Sequence, residues 1–344
     1  MSLNPALTIT GAGAVSPAGW GLPALAAALA AASPLPATPV QSPGQQRAAH
    51  AVHSVPRPLP NRQLAGHPRL RRASPIAHFA AAAALEALGD QKLAAAHSGA
   101  LRLGLIYALM NGCVAYSSRF YGEVLQNPAV ASPILFPETV FNAPASHLAT
   151  FLGITGPVYT MVGDTAEFFS ALDLATLWLD DGLIDACLVV GAEEADWLTA
   201  EALDLMVPGR PLAEGAGAIL LENSAGALRV QNLVAQATAV DQASRVAAAQ
   251  RVRAALGALP DSALLIDDLC GHPRTDVATS QAWQNWSGPR LAPAPHLGLG
   301  LGAGAAWQCA LAYHALLSGS HSDAVTVSTG NNQHAAALHL RRTD

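Results

Sequence analysis

The sequence predicts an α/β fold in which parallel strands form sheets sandwiched between helices, with a second half that replays the first. Three observations carry that expectation. Apolar runs of strand length alternate with Ala/Leu-rich runs of helix length along most of the 344 residues, the order that layered α/β chains show. The same alternation resumes beyond residue 222, so the chain divides into halves 1–222 and 223–344 of one compact unit. Composition is 51% apolar but only 5% aromatic and 12% charged. A deep core must then be built from Ala, Leu and Val, whose small size lets helices lie close on a sheet.

Taken in order, residues 6–15 (A-L-T-I-T-G-A-G-A-V) read as a buried strand running into a glycine turn, and an Ala/Leu helix follows at 22–32. From 33 to 68 the chain is rich in Pro, Gln, His and Arg and reads as a long irregular connection. Ser74 stands as an N-cap, and Pro75 at the first helical position, of a helix over 74–88. A strand is expected at 101–108, a segment of mixed character to 140, a helix over 142–152, a strand at 157–163 and a strong helix over 166–181. Strands at 185–191 and 216–222 close the first half, the latter after the turn E-G-A-G at 214–217. The second half gives strands at 227–238, 263–267 and 324–328, with helices over 241–257 and 303–317.

Several function classes fall away. Gly11 and Gly13 after a strand look like the opening of a dinucleotide-binding turn. That motif needs a third small residue leading into a helix, and an acidic residue ~20 positions on for the ribose. Here Ser16 is followed at once by Pro17, and the first acidic residue of the chain is Glu86. The glycines read instead as a turn packed beneath a helix. Cys113, Cys187, Cys270 and Cys309 lie far apart and read as small buried hydrophobes in a reducing compartment. The histidines show no ligand spacing, so no metal is expected. No window approaches the ~20 apolar residues of a spanning helix, and the start has no signal-peptide pattern, so a cytoplasmic protein is expected. Six arginines (Arg47, Arg57, Arg62, Arg69, Arg71 and Arg72) precede Glu86 in a chain of net charge −6. They read as a surface loop or as an attraction for an acidic partner; no nucleic-acid partner is expected.

Five segments, in order, resemble β-ketoacyl-acyl-carrier-protein synthases. They are I-T-G-A-G-A-V-S-P-A-G within 7–19, N-A-P-A-S-H-L-A-T-F-L-G-I-T-G-P at 142–157, and D-T-A-E-F-F-S-A-L opening 164–191. The last two are G-R-P-L-A-E-G-A-G-A-I-L-L-E at 209–222 and G-L-G-L-G-A-G-A-A at 298–306. The resemblance spans almost the whole chain and implies a thiolase-like, duplicated α-β-α-β-α layered sandwich. It also implies a chemistry. A cysteine at a helix N-terminus takes the acyl chain from acyl carrier protein, the helix dipole and nearby histidines favouring its thiolate. Two histidines then hold the malonyl thioester as carbon dioxide leaves.

In this sequence the cysteine position of the D-T-A-C turn is Glu167, a poor acyl acceptor because a mixed anhydride is far less stable than a thioester. The first histidine of that family belongs to an H-G-T-G-T-P-x-x-D run. Aligning Gly271, Pro273 and Asp276 with its later positions puts Asp268 there; the rival, His272, loses all three matches. An ungapped match of 298–306 puts Gly298 at the second histidine, and a two-residue shift puts His296 there. No catalytic residue is therefore expected; Glu167, Asp268 and Gly298 (or His296) are vestigial triad positions.

The whole resembles chain-length-factor-like subunits, which lack the nucleophile and pair with an active synthase; S-P-I-L-F-P-E-T-V-F-N at 132–142 is similar to those of aryl-polyene pathways. The resemblance implies a heterodimer with an active synthase, or a homodimer, in fatty acid or polyketide (polyene) biosynthesis. It implies no cofactor beyond the phosphopantetheine carried by a partner acyl carrier protein. Tyr116, Phe120 and Tyr121 are expected at a tunnel or interface, and Arg62, Arg69, Arg71 and Arg72 at a carrier-docking surface. V-S-T-G-N-N-Q-H at 327–334 stands for the family's F-G-F-G-G-x-N loop without its phenylalanines. Two alternatives stay open: a malonyl-carrier-protein decarboxylase, as in homologues with glutamine at the cysteine site, and an atypical 3-oxoacyl-carrier-protein synthase with an unmatched nucleophile.

Overall fold

Two groups of five strands share one order. The first comprises β1 (Leu7–Ser16), β5 (Leu103–Leu109), β6 (Val158–Val162), β7 (Ala186–Glu193) and β9 (Gly215–Asn223), arranged β6-β5-β7-β9-β1. The second comprises β10 (Leu228–Thr238), β11 (Leu264–Ile266), β12 (Arg290–Leu291), β13 (Asp323–Thr329) and β14 (His334–Arg342), arranged β12-β11-β13-β14-β10. In each group the first two pairings are parallel and the last two antiparallel. The groups join through one registered pair, Thr8 and Arg229 of β1 and β10. The replay read in the sequence is thus a duplication of topology. The computed structural model describes residues 6–32, 34–42, 49–57, 64, 66–330 and 334–343.

Helices fill three layers around these sheets, giving the thiolase-like sandwich. Between the sheets lie α5 (Glu167–Asp180) and α10 (Gly302–Leu317), flanked by α1 (Leu22–Ala30). The first outer layer is α2 (Pro75–His97) with α4 (Ala143–Leu152); the second is α7 (Gln242–Ala255) with α8 (Pro273–Ala282). Strand alternation divides the core accordingly. Ile106 and Ala108 of β5 face the central layer while Leu105, Tyr107 and Leu109 face α2. Ala336, Leu338 and Leu340 of β14 face the centre while Ala335 and Ala337 face α7.

Local readings were corrected at four places. Gly11 and Gly13 form no turn; they lie within β1, where a β-carbon on Gly11 or Gly13 would overlap the carbonyl oxygen of Ala87 or Ala83 on α2. The glycines are there because the Ala-rich helix touches the strand backbone. The helix expected over 74–88 runs on to His97 across a kink at Gly89, whose φ is 63°. Ser74 precedes that helix but makes no cap; its hydroxyl donates to Glu194, which also accepts from Ile76 N at 3.3 Å. The irregular stretch 33–68 contains β3 (Thr38–Val40) and β4 (His50–His53), which form a small sheet with β8 (Leu212–Ala213). The 110–140 segment contributes α3 (Val114–Gln126), and α6 (Trp197–Met206) follows β7. Among the described residues no helix is long and apolar enough to cross a membrane.

Candidate functional site

Two turns, one from each half, meet at the centre of the molecule. In the first, β6 passes through Gly163, Asp164 and Thr165 into α5, so that Glu167 opens the helix. Buried Asp164 accepts from Ala166 N at 3.1 Å through its side chain, and from Glu167 N at 3.0 Å through its backbone carbonyl. In the second, β13 ends at Thr329, Gly330 closes a 2.9 Å hydrogen bond to His334 O, and His334 starts β14. Gly330 lies on the Asp164 carboxylate and Gly163 on the Glu167 side chain, and in both places a β-carbon would clash.

The Glu167 carboxylate sits 3.3 Å from Nε2 of His334, with both side chains largely buried. The contact is an ion pair rather than an aligned hydrogen bond. The carboxylate raises the His334 pKa above the usual histidine value, against the opposing effect of burial, and Asp164 adds to the rise. Negative charge at the start of α5 also suits the helix dipole. The Glu167 carboxyl group thus lies between a helix start and a histidine.

Asp268 lies just beyond β11. Its Oδ1 accepts from the Thr279 hydroxyl at 2.7 Å and its Oδ2 from the backbone N–H of Thr329; the Thr279 and Thr329 hydroxyls are 2.9 Å apart. Burial pushes its pKa up to about 7, these hydrogen bonds holding back part of the rise. The neighbouring Asp267 is committed elsewhere, to Arg290.

Asp268 and Gly298 line one cavity of about 60 Å³, together with Thr165, Trp307, Gln308 and Ser328. His296 is not among the lining residues; it sits in α9 (Ala294–Leu297), its Nδ1 buried without a partner. Gly298 has φ 90°, and a β-carbon there would lie 2.9 Å from Pro211 O and 3.3 Å from Nδ1 of His53. Any side chain at 298 is therefore strained and crowded. His53 braces this turn by donating from Nδ1 to Leu297 O at 2.8 Å. Within the cavity, Gln308 Oε1 and Ser328 Oγ are buried without partners among the described residues.

The remaining sequence candidates lie elsewhere. Tyr116, in α3, donates to Arg72 O at 2.7 Å; Phe120 packs its ring on Phe136 at 5.6 Å; Tyr121 is 63% exposed. None of the three lines the cavity. Arg69, Arg71 and Arg72 are exposed together before α2, Arg69 reaching the Thr150 hydroxyl at 3.2 Å; Arg62 lies outside the described residues. The four cysteines offer no substitute nucleophile. All are buried, and burial raises each thiol pKa, for Cys270 and Cys309 up to about 12. Sequence reasoning missed His334, Thr279 and Thr329 as partners of the two carboxylates. His334 stood in the stretch matched to the family's glycine-rich loop, but nothing local marks it as facing Glu167.

Asp268 supplies a pH test. The folded chain keeps a proton that the unfolded chain releases in the ordinary carboxyl range, so its contribution to stability is full at low pH and disappears as pH rises to about 7. Asp268→Asn cannot titrate. Its stability relative to the parent should rise between about pH 5 and about pH 8, by about 1–2 kcal/mol after discounting for partial exposure. Urea melts at the two pH values measure the change, and a flat difference would contradict the burial argument.

Comparison with known proteins bears on the same residues. A family model described as "Beta-ketoacyl synthase, N-terminal domain" matches residues 6–227. No curated protein matches the chain. Among solved structures, the ishigamide ketosynthase/chain length factor superposes with a TM-score of 0.79 at 21% identity, covering 98% of this chain and 99% of that one. The ketosynthase ApeO in complex with its chain length factor ApeC, from Xenorhabdus doucetiae, gives 0.79 at 16% identity, covering 98% of each chain. A β-ketoacyl synthase from Burkholderia phymatum gives 0.80 at 16% identity, covering 100% of each.

Proposed function

This chain belongs to the β-ketoacyl synthase family, and we propose that within it the chain is a non-catalytic, chain-length-factor-like partner of an active synthase in fatty acid or polyketide (polyene) biosynthesis. The observation that carries this reading is the nucleophile position. Glu167 stands there in place of a thiol, 3.3 Å from His334 Nε2 and walled by Gly163. One further feature points the same way. A carboxyl group, Asp268, stands where the family's first histidine would receive the malonyl carboxylate, and it lines the same small cavity as Gly298.

The partner reading is supported by an exposed apolar face. Strand β6 pairs only with β5 among the described residues, so its outer edge is open, and Val158, Tyr159 and Val162 on it are 40%, 53% and 51% exposed. Phe141, itself 47% exposed, packs on Gly112, just past Leu109, whose neighbour on β6 is Val162. The patch therefore continues from the strand onto the 134–141 segment, where Ile134, Phe136 and Val140 are also exposed. An apolar surface of this kind marks an interface. Arg69, Arg71 and Arg72 would meet the acidic carrier protein.

Coexpression with cysteine-bearing synthases and acyl carrier protein of the same genome, followed by size-exclusion mass analysis, tests the proposal. A stable one-to-one complex with a synthase is expected. A homodimer that ignores every synthase and releases carbon dioxide from malonyl carrier protein would overturn it. Glu167→Cys separates a missing nucleophile from a dismantled site. The variant is expected to show no condensation above background, because Asp268 stands at the first histidine position and His296, the alternative to Gly298 at the second, does not line the cavity. Measurable turnover would sink the non-catalytic reading.

A further inference from the structure

A second cavity, of about 310 Å³, lies outside the site described above, between the C-terminal end of α6 and the first turns of α7 and α8. Its polar floor is Gln242 and Arg245 of α7 with Arg274 and Thr275 of α8. Arg245 is only 8% exposed. Its Nε donates to Gly330 O at 3.1 Å and its Nη1 to Gln242 Oε1 at 3.3 Å, but its Nη2 is buried with no hydrogen-bond partner among the described residues. An orphaned donor on a buried guanidinium is rare enough to need an explanation.

Two guanidiniums, Arg245 and Arg274, line the cavity against one carboxylate, Asp241. Burial lowers the Arg245 pKa, Asp268 and Asp164 oppose that from the interior side, and the charge of Arg274 adds to the lowering. Two guanidiniums thus repel one another across a polar cavity. The acidic residue on the wall, Asp241, is already engaged: its carboxylate accepts from Ser244 N at 2.7 Å in the capping box of α7. The first turns of α7 and α8, helices of 14 and 10 residues, also bring their positive ends to the cavity. The rim has a different character, with Leu205 82% and Val240 87% exposed beside the opening.

We infer that this cavity is a binding site for an organic phosphate, its phosphoryl group between Arg245 and Arg274 and its carbon chain against Leu205 and Val240. A doubly charged oxyanion matches two guanidiniums and relieves their repulsion. Gln242, whose Nε2 reaches Arg274 O at 3.4 Å, and Thr275, whose hydroxyl pairs with Nδ1 of His272 at 3.0 Å, tie the floor together. The apolar rim accounts for an ester rather than inorganic phosphate. This inference does not rest on pairing with a synthase, and either can fail without the other.

Calorimetric titration of the full chain with inorganic phosphate and with butyl phosphate, at constant ionic strength and with butanol as control, is the test. Both phosphates should bind one to one, butyl phosphate about fivefold tighter from partial burial of its carbons. Arg274→Ala, at an exposed position, should fold as the parent and bind both at least about tenfold more weakly. Arg245→Lys, which keeps the charge but not the fork, should also weaken both. Absence of saturable phosphate binding, equal binding by Arg274→Ala, or no preference for the butyl ester would overturn the assignment.

Discussion

Lysines in place of Tyr159 and Val162 are expected to leave the chain folded and to weaken its pairing with a partner subunit by at least about 100-fold. Both side chains are about half exposed on an edge strand that carries no second neighbour among the described residues. In the isolated chain lysine there is well tolerated, and it is what natural edge strands use to stay unpaired. In a complex two ammonium groups would be buried in an apolar patch without counter-charges, at a cost of several kcal/mol. The same loss is expected whether the partner is a synthase or a second copy of this chain. Size-exclusion mass analysis gives the stoichiometry and circular dichroism the fold. A complex of unchanged affinity would show that β6 is not the contact, and would move attention to the far edge of the paired sheets.

The architecture was legible because most elements carry their own signal. Alternation of strands and helices and Pro75 at a helix start each mark an element locally, and the structure has them; the E-G-A-G stretch read as a turn at 214–217 instead opens β9 at Gly215. The misses have physical causes. β14 reads His-Ala-Ala-Ala-Leu-His-Leu, rich in helix-forming alanine, and both its faces are buried, so it lacks the alternation that betrays a half-exposed strand. Gly11 and Gly13 looked like a turn because glycine signals both a bend and a close approach, and only the position of α2 decides between them. At the site, the turn that leads through Asp164 and Thr165 into α5 at Glu167 was readable. The pairing of Glu167 with His334, and the bracing of Asp268 by Thr279 and Thr329, join residues from distant turns that no spacing connects.

Trp307→Ala is expected to cost about 4 kcal/mol, the largest single-residue effect on stability argued here. Trp307 is 1% exposed, and its indole Nε1–H donates to Val15 O at 2.9 Å and to Ala216 O at 3.0 Å. Those carbonyls belong to β1 and β9 of the first half, whereas the tryptophan belongs to α10 of the second, so one side chain bolts the halves together. Its ring also packs where a β-carbon on Gly215 would lie 2.8 Å from Cζ2, and it forms part of the wall of the cavity at Asp268 and Gly298. Trp307→Phe separates the contributions. Phenylalanine keeps most of the apolar volume but gives up both hydrogen bonds, for about 1–2 kcal/mol. The further loss in alanine then measures the void, in urea melts of the two variants. A deficit below about 1 kcal/mol for alanine would mean that neighbouring groups collapse into the space, and that the cavity owes its small size to them rather than to the indole. With the expected deficit, the same side chain that holds the two halves in register also fills the wall of the cavity at Asp268 and Gly298, which ties the size of that cavity to the stability of the fold.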